Sequence, residues 1–153
     1  MRKLKYASYS IVMKEVPNEI SLAINISGCP YRCKGCHSQY LWEYTGAYLT
    51  NNLEMLLNMY DGLITCVCFM GGDQNESELL ECLKIVKQRK LKTCLYTGKD
   101  FINNFRYDVI NNLDFIKTGK YIEELGGLNC STTNQRMYDL NNNKEIFFYK
   151  REK

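Results

Sequence analysis

Three cysteines in one short loop constrain this chain more than any other feature of its sequence. Cys29, Cys33 and Cys36 have the spacing Cys-x3-Cys-x2-Cys and follow the alternating apolar segment 20–26. Alternation with a period of two residues predicts a β-strand. The carboxyl end of this strand leads into the loop, which is where functional sites of parallel α/β sheets usually lie. A loop of this length can curl around one inorganic centre and present three sulfur atoms to it.

The metal centres that such a loop can hold differ in the number of protein ligands that they take. Thiolates bind zinc or an iron–sulfur cluster, and both usually take four protein ligands. His37 is the single histidine of the chain, but it directly follows Cys36, so the two side chains diverge and rarely bind one metal. A [4Fe-4S] cluster held by three cysteines keeps one iron open, and an open coordination position distinguishes catalytic from structural metal sites. The alternatives are a zinc-binding module without catalysis and a set of unrelated buried thiols.

A second motif follows the most apolar segment, residues 63–70. This segment is apolar on both faces and contains β-branched residues, which predicts a central buried strand. It ends at Gly71-Gly72-Asp73. Two glycines at the end of a parallel strand let the backbone approach a ligand closely, and the Asp73 carboxylate can bind a cationic group.

The remaining sequence alternates predicted strands with predicted helices. We expect β structure over residues 9–26, a helical turn at 38–44, helices at 51–60, from 75 onwards and at 101–111, strands at 93–97 and 113–117, and an edge strand at 145–150. Asn51 and Asn75 are predicted helix N-caps, each followed three residues later by a glutamate, as in a capping box. This alternation favours a parallel α/β architecture.

Chain length limits how complete this architecture can be. The 153 residues suggest one domain over residues 1–153. A closed eight-stranded α/β barrel typically needs about 200–250 residues. We therefore expect an α/β fold that, if related to barrels, is a short and open partial (β/α) barrel, whose open side would admit a macromolecule.

Charge and apolar patterning exclude several functional classes. The formal net charge of +3 is too small to predict nucleic-acid binding. The N-terminal residues lack the apolar core of a signal peptide, and the apolar run 66–70 is too short to span a bilayer. We expect a cytoplasmic protein without membrane contact, in a reducing compartment where clustered cysteines usually bind metal. The other five cysteines show no ligand spacing and are predicted to be small buried apolar residues: Cys66, Cys68, Cys82, Cys94 and Cys130.

The cysteine loop resembles the signature of the radical S-adenosylmethionine (SAM) enzymes. Its longer context, from Ser27 to Ser38 and ending in Leu41-Trp42, is similar to the activating proteins of anaerobic ribonucleoside-triphosphate reductases. The Gly-Lys-Tyr-Ile of residues 119–122 and the Thr-Asn-Gln-Arg of residues 133–136 add to this likeness, which extends roughly from residue 20 to 138. The resemblance implies a partial barrel of the radical SAM type.

The resemblance also implies cofactors and site residues. Cys29, Cys33 and Cys36 would hold a [4Fe-4S] cluster and act as the catalytic centre, while SAM would bind the fourth iron. Further SAM contacts would come from five residues: Gly35, Cys36, His37, Gly72 and Asp73. Reductive cleavage of SAM would give a 5′-deoxyadenosyl radical. That radical would generate a glycyl radical on the anaerobic reductase, and a flavodoxin- or ferredoxin-type protein would supply the electron.

Some assignments stay open within this resemblance. The substrate is the anaerobic reductase, another glycyl-radical enzyme or a small molecule such as a deazaguanine-pathway intermediate. Lys99 meets the SAM carboxylate or is an exposed lysine. Trp42 shields a cluster together with its aromatic neighbours or packs in the ordinary way. The segment 134–136 contacts SAM or the partner, or caps its own loop. Two departures from relatives are His37-Ser38 after the third cysteine and residues 16–19 in place of a glycine-rich segment.

Overall fold

The computed structural model describes residues 2–36 and 38–149, which form one eight-stranded mixed sheet flanked by helices. The strand order is β3-β1-β2-β4-β5-β6-β7-β8. The strands are β1 (Lys5–Val12), β2 (Ser21–Ile26), β3 (Ala47–Tyr48), β4 (Cys66–Met70), β5 (Lys92–Tyr96), β6 (Phe115–Thr118), β7 (Arg136–Asp139) and β8 (Lys144–Ile146). The order has two separate ends, β3 and β8, so the sheet is open.

The four central strands, β2, β4, β5 and β6, are parallel. The strands on either side pair antiparallel. Near the carboxyl ends of the parallel strands, the register places Asn25, Met70, Tyr96 and Lys117 in one row across the sheet. The cysteine loop and the Gly-Gly-Asp turn leave the sheet at this edge.

Three helices, α1 (Leu49–Met59), α2 (Glu76–Gln88) and α3 (Tyr107–Asn111), accompany the sheet. The larger apolar cluster joins them to one face, where Val67 and Phe69 of β4 are fully buried. The opposite face carries a smaller cluster in which Cys66, Cys68 and Cys94 pack with Val16. The segment before β2 therefore covers part of the face that no helix covers.

The predicted cap of α2 is confirmed, and that of α1 is wrong. Asn75 Oδ1 accepts a hydrogen bond from Glu78 N at 3.2 Å, as an N-cap should. The Glu78 carboxylate instead accepts from Leu4 N and from Thr50 Oγ1, both at 2.7 Å, and so joins the start of β1 to α1. α1 begins at Leu49, two residues before Asn51, because Leu49 is itself a fully buried core residue.

Other boundaries differ from the sequence prediction where polar residues interrupt the pattern. The predicted helix at 101–111 is divided into a 3₁₀ turn, Ile102–Asn104, and α3, because residues 105 and 106 are extended. The strand predicted from residue 63 begins at Cys66, since Leu63 lies exposed in the preceding turn. β7 was not predicted, and the predicted edge strand shortens to β8. Residue 150 of that prediction lies outside the described residues. None of the described helices is long and apolar enough to cross a membrane.

Candidate iron–sulfur site

A cleft opens at the carboxyl edge of the parallel strands. It encloses about 790 Å³, counting the solvent at its mouth. Its walls come from the cysteine loop, from the ends of β4, β5 and β6, and from the residue before β7. The two sequence motifs, the cysteine loop and the Gly-Gly-Asp turn, both lie at this carboxyl edge.

All three loop cysteines line this cleft. Cys29, Cys33 and Cys36 are free thiols and each is half-buried. The loop is fixed by short hydrogen bonds: Cys29 N donates to Leu41 O at 2.9 Å, and Cys36 N donates to Cys33 O at 3.1 Å. The cleft thus combines three accessible sulfur ligands with a backbone that limits their movement.

Asp73 lines the cleft from the turn after β4. Its residue is only 8% exposed, and Oδ2 accepts a hydrogen bond from the Tyr31 hydroxyl at 2.8 Å. Burial, followed by the nearby Asp73 charge, raises the pKa of Tyr31, so this hydroxyl stays a donor. Within residues 2–36 and 38–149, Tyr31 is the one side chain that bonds to the Asp73 carboxylate.

The Tyr31 ring is held in place by Gly98, at the end of β5. A Cβ atom on Gly98 would stand 2.8 Å from the ring, closer than real Cβ contacts. Only a residue without a side chain lets Tyr31 lie flat on this turn and reach Asp73. The bond between Tyr31 and Asp73 links the cysteine loop to the Gly-Gly-Asp turn.

Lys117 provides a buried cation on the floor of the cleft. Its residue is 8% exposed, and Nζ donates to Thr97 O and Gly119 O, both at 3.0 Å. Burial lowers the pKa of Lys117 to about 8. An ammonium group carries three protons, and the described residues accept two of them, so one proton is available to a ligand.

Two glutamines shape the cleft rim. Gln74 Nε2 donates to Ser27 O at 3.2 Å, and its Oε1 accepts from Gly72 N at 3.2 Å, which joins the strand before the cysteine loop to the Gly-Gly-Asp turn. Gln135 Nε2 donates to Gly119 O, also at 3.2 Å. Both side chains hold loops of the cleft together, and both also line the cleft, where a ligand can contact them.

Of the residues predicted to contact a nucleotide cofactor, Cys36 and Asp73 line the cleft. Gly35 is exposed beside Glu123, and Gly72 is buried against the core. Gly71 and Gly72 have φ angles of +99° and +111°, which only glycine adopts without strain. A Cβ on Gly72 would face Leu79 and Leu4 of the core. His37 lies outside the described residues.

Lys99 and the segment 134–136 have mainly structural contacts. Lys99 Nζ lies 3.6 Å from a Glu76 carboxylate oxygen and donates to Asn104 O, away from the cleft lining. Asn134 Nδ2 donates to Lys120 O, and Arg136 donates to Thr133 O. These contacts support the loop-capping alternative for Asn134 and Arg136.

A family model described as a 4Fe-4S single cluster domain matches residues 20–141. The chain belongs to this family. No curated protein and no solved structure matches it. The matched range contains the cysteine loop, Asp73, Lys117 and Gln135, so it includes the residues that line the cleft.

The residues of this 4Fe-4S domain fit a cluster in two respects. Three free thiols face one cleft, and thiolates are the ligands that such clusters take. Trp42, which also lines the cleft, has a buried indole Nε1 without any hydrogen-bond partner among the described residues. A buried donor without an acceptor is costly, and a cysteine thiolate bound to a cluster would supply the acceptor that this donor lacks.

The arrangement differs from a site for one ion. Over the described ranges, no group of three or more His, Cys, Asp or Glu side chains is placed to hold a single metal ion. In an iron–sulfur cluster each thiolate binds a different iron, so the ligands need not converge on one point. The match to a 4Fe-4S single cluster domain favours a cluster over the zinc alternative.

Tyr31, Gln74 and Lys117 are cleft residues that the sequence analysis missed. Lys117 carried a signal, since a lysine at the end of an apolar strand in the centre of a sheet is unusual. Tyr31 and Gln74 carried none, because their positions depend on contacts between loops that are distant in sequence.

Proposed function

We propose that this 4Fe-4S protein is a radical SAM enzyme. Its cluster, held by Cys29, Cys33 and Cys36, would supply the electron that cleaves SAM into methionine and a 5′-deoxyadenosyl radical. The observation that carries the proposal is the pairing of opposite charges beside the three thiols, with the Asp73 carboxylate on one wall and the Lys117 ammonium on the floor. The amino-acid end of SAM carries the complementary pair, an ammonium and a carboxylate.

Each charged side chain has a defined task in this proposal. Asp73 accepts a hydrogen bond from the amino group of SAM, while Tyr31 keeps the carboxylate oriented. The third N–H of Lys117 donates a hydrogen bond to the SAM carboxylate. Charge-assisted hydrogen bonds in a partly desolvated cleft are stronger than those between neutral groups. Lys117 thus takes the role that the sequence offered to Lys99.

The apolar lining would protect the radical. Ile26, Leu41 and Met70 face the same cleft as the thiols. Excluding water and holding the reactive carbon near its target are what a protein contributes to cofactor-based radical chemistry. Positioning of this kind accounts for a large part of the rate that an enzyme gains over a free reactant.

The substrate that we propose is a glycine of anaerobic ribonucleoside-triphosphate reductase, with a flavodoxin- or ferredoxin-type protein as electron donor. Support comes from the segments that resemble the reductase activators, because Lys120, Tyr121 and Gln135 belong to them and line the cleft. A substrate loop that entered the cleft would meet these residues. A protein substrate also suits an open sheet.

The test is anaerobic reconstitution with iron and sulfide, followed by addition of SAM and a reductant. We expect about four irons per chain, release of methionine and 5′-deoxyadenosine and, with the reductase present, a glycyl-radical doublet in the EPR spectrum. A protein that loads the cluster but leaves SAM intact would refute the radical SAM proposal. Cleavage of SAM without a doublet on the reductase would refute only the partner.

A further inference from the structure

The indole N–H of Trp42 is a buried donor that has no acceptor among the described residues. An indole N–H can only donate, so it needs an acceptor. The cleft that Trp42 lines is the one that holds Cys29, Cys33 and Cys36.

Backbone hydrogen bonds fix Trp42 beside the first cysteine. The residues on either side of it accept from two consecutive residues at the start of the loop: Leu41 O from Cys29 N at 2.9 Å, and Glu43 O from Gly28 N at 3.3 Å. Trp42 itself ends a short 3₁₀ turn. The backbone of Trp42 is therefore held beside Cys29.

The loop also covers the indole ring. The guanidinium carbon of Arg32 lies 5.7 Å from the centre of the Trp42 ring, a distance at which a cation is attracted to the ring face. Arg32 has a φ angle of +47°, unusual for a residue other than glycine. The loop backbone thus holds Arg32 in an unfavourable conformation while its side chain lies against Trp42.

We propose that Trp42 Nε1–H donates a hydrogen bond to one of the cysteine thiolate sulfurs that bind the iron–sulfur cluster. Hydrogen bonds to these sulfurs are among the factors that set the reduction potential of a cluster. The reduced cluster carries more negative charge than the oxidised one. The donor therefore stabilises the reduced form more and raises the potential. Trp42 is a tuning residue, and this role rests on the cluster alone, not on cleavage of SAM.

The test compares the midpoint potential of the reconstituted protein, without SAM, between wild type and two variants. Trp42→Phe removes the N–H together with part of the ring. Replacement of Trp42 by benzothienylalanine keeps the shape of the bicyclic ring but has sulfur in place of N–H. We expect both to bind the same amount of iron and to have a reduction equilibrium constant lower by roughly three- to tenfold, where tenfold equals 59 mV for a one-electron couple. Tyr40→Phe, a change at an exposed aromatic neighbour, should leave the potential unchanged.

A second measurement needs no variant. In wild-type protein labelled with ¹⁵N at the indole, pulsed EPR of the reduced cluster should detect coupling to the indole nitrogen. An unchanged potential in the benzothienylalanine protein, or no ¹⁵N coupling in wild type, would overturn the assignment. Equal shifts in the Tyr40→Phe control would also overturn it. A protein with the expected shift but no SAM cleavage would retain this role of Trp42 and refute the proposed function.

Discussion

The chain contains two groups of cysteines in opposite environments. Cys29, Cys33 and Cys36 lie half-exposed in a loop at the rim of a cleft. Four others are completely buried in the sheet and in α2: Cys66, Cys68, Cys82 and Cys94. The eighth, Cys130, was predicted to be buried with them but is only partly buried. The two groups have the same chemistry in isolation, so the backbone that carries them decides what they can bind.

Burial makes the second group poor ligands. It raises the pKa of the Cys66 and Cys82 thiols to about 12 and that of Cys94 well above its ordinary value. Metals and clusters bind thiolates, which these residues do not readily form. Cys68 and Cys94 even lie side by side on adjacent strands, yet they behave as small apolar residues. Proximity without access does not make a metal site.

The largest expected effect is on iron binding. Cys33→Ala should abolish the [4Fe-4S] cluster, because one of its three protein ligands is lost, and should leave the far-UV circular dichroism unchanged. The matched control is Cys68→Ala, which removes a core thiol and should retain full iron. Iron and sulfide analysis after anaerobic reconstitution measures both. Equal iron contents in the two variants would show that the loop is not the cluster site.

The second-largest effect is expected in thiol labelling of the cluster-free protein, which should distinguish the loop cysteines from the buried ones. At pH 8 a thiol with a pKa of about 12 forms on the order of a thousandfold less thiolate than an ordinary cysteine with a pKa of about 8.5. We expect the loop cysteines to be alkylated quickly, and Cys66 and Cys82 only after the protein unfolds. Peptide mass spectrometry identifies the labelled positions. Early labelling of Cys66 in folded protein would contradict the buried state.

Lys117→Met should weaken SAM binding by about ten- to a hundredfold, the value of one hydrogen bond between charged groups. Methionine is also unbranched and one atom shorter, and it carries no charge. Lys99→Met is the control, since Lys99 pairs with Glu76 away from the cleft lining. Binding is measured by equilibrium dialysis with the reconstituted protein. A loss of affinity in the Lys99 variant alone would reverse the assignment of the two lysines.

The smallest effect concerns the core. Cys68→Ala should lower the free energy of unfolding by about 1 kcal/mol, as expected when one methyl-sized group is removed from a packed interior. Cys33→Ala should change it by less, because Cys33 is half-exposed. Urea denaturation of the cluster-free proteins provides the values. A larger loss for Cys33 than for Cys68 would mean that the loop thiols stabilise the fold.

The same contrast explains what the sequence could predict. The spacing of the loop cysteines, the cap at Asn75 and the run of apolar residues in β4 are local signals, and each describes an element of the structure. The contact between Tyr31 and Gly98 joins two loops that are far apart in sequence, so no local pattern indicates it. β7 was missed because its segment, Arg136–Asp139, is short and largely polar and pairs at the antiparallel side of the sheet.

The sequence predicted some residues of the candidate site but not others. Cys36 and Asp73 were assigned from motifs and line the cleft, whereas Gly72 supports it from the core side. The place of Lys117 in the cleft depends on the strand register, which aligns it with Tyr96 and Met70. The partial barrel of the radical SAM type and the partner reductase stay predictions, because each depends on more than the open sheet and the cleft.

Pulsed EPR with SAM labelled with ¹⁵N at its amino group tests the central proposal most directly. If the cluster held by Cys29, Cys33 and Cys36 keeps one iron open for SAM, the reduced protein should show strong coupling to the labelled nitrogen, and Lys117→Met should need more SAM to give the same signal. A cluster whose spectrum does not change when SAM is added, or a reconstituted protein without a cluster, would contradict it.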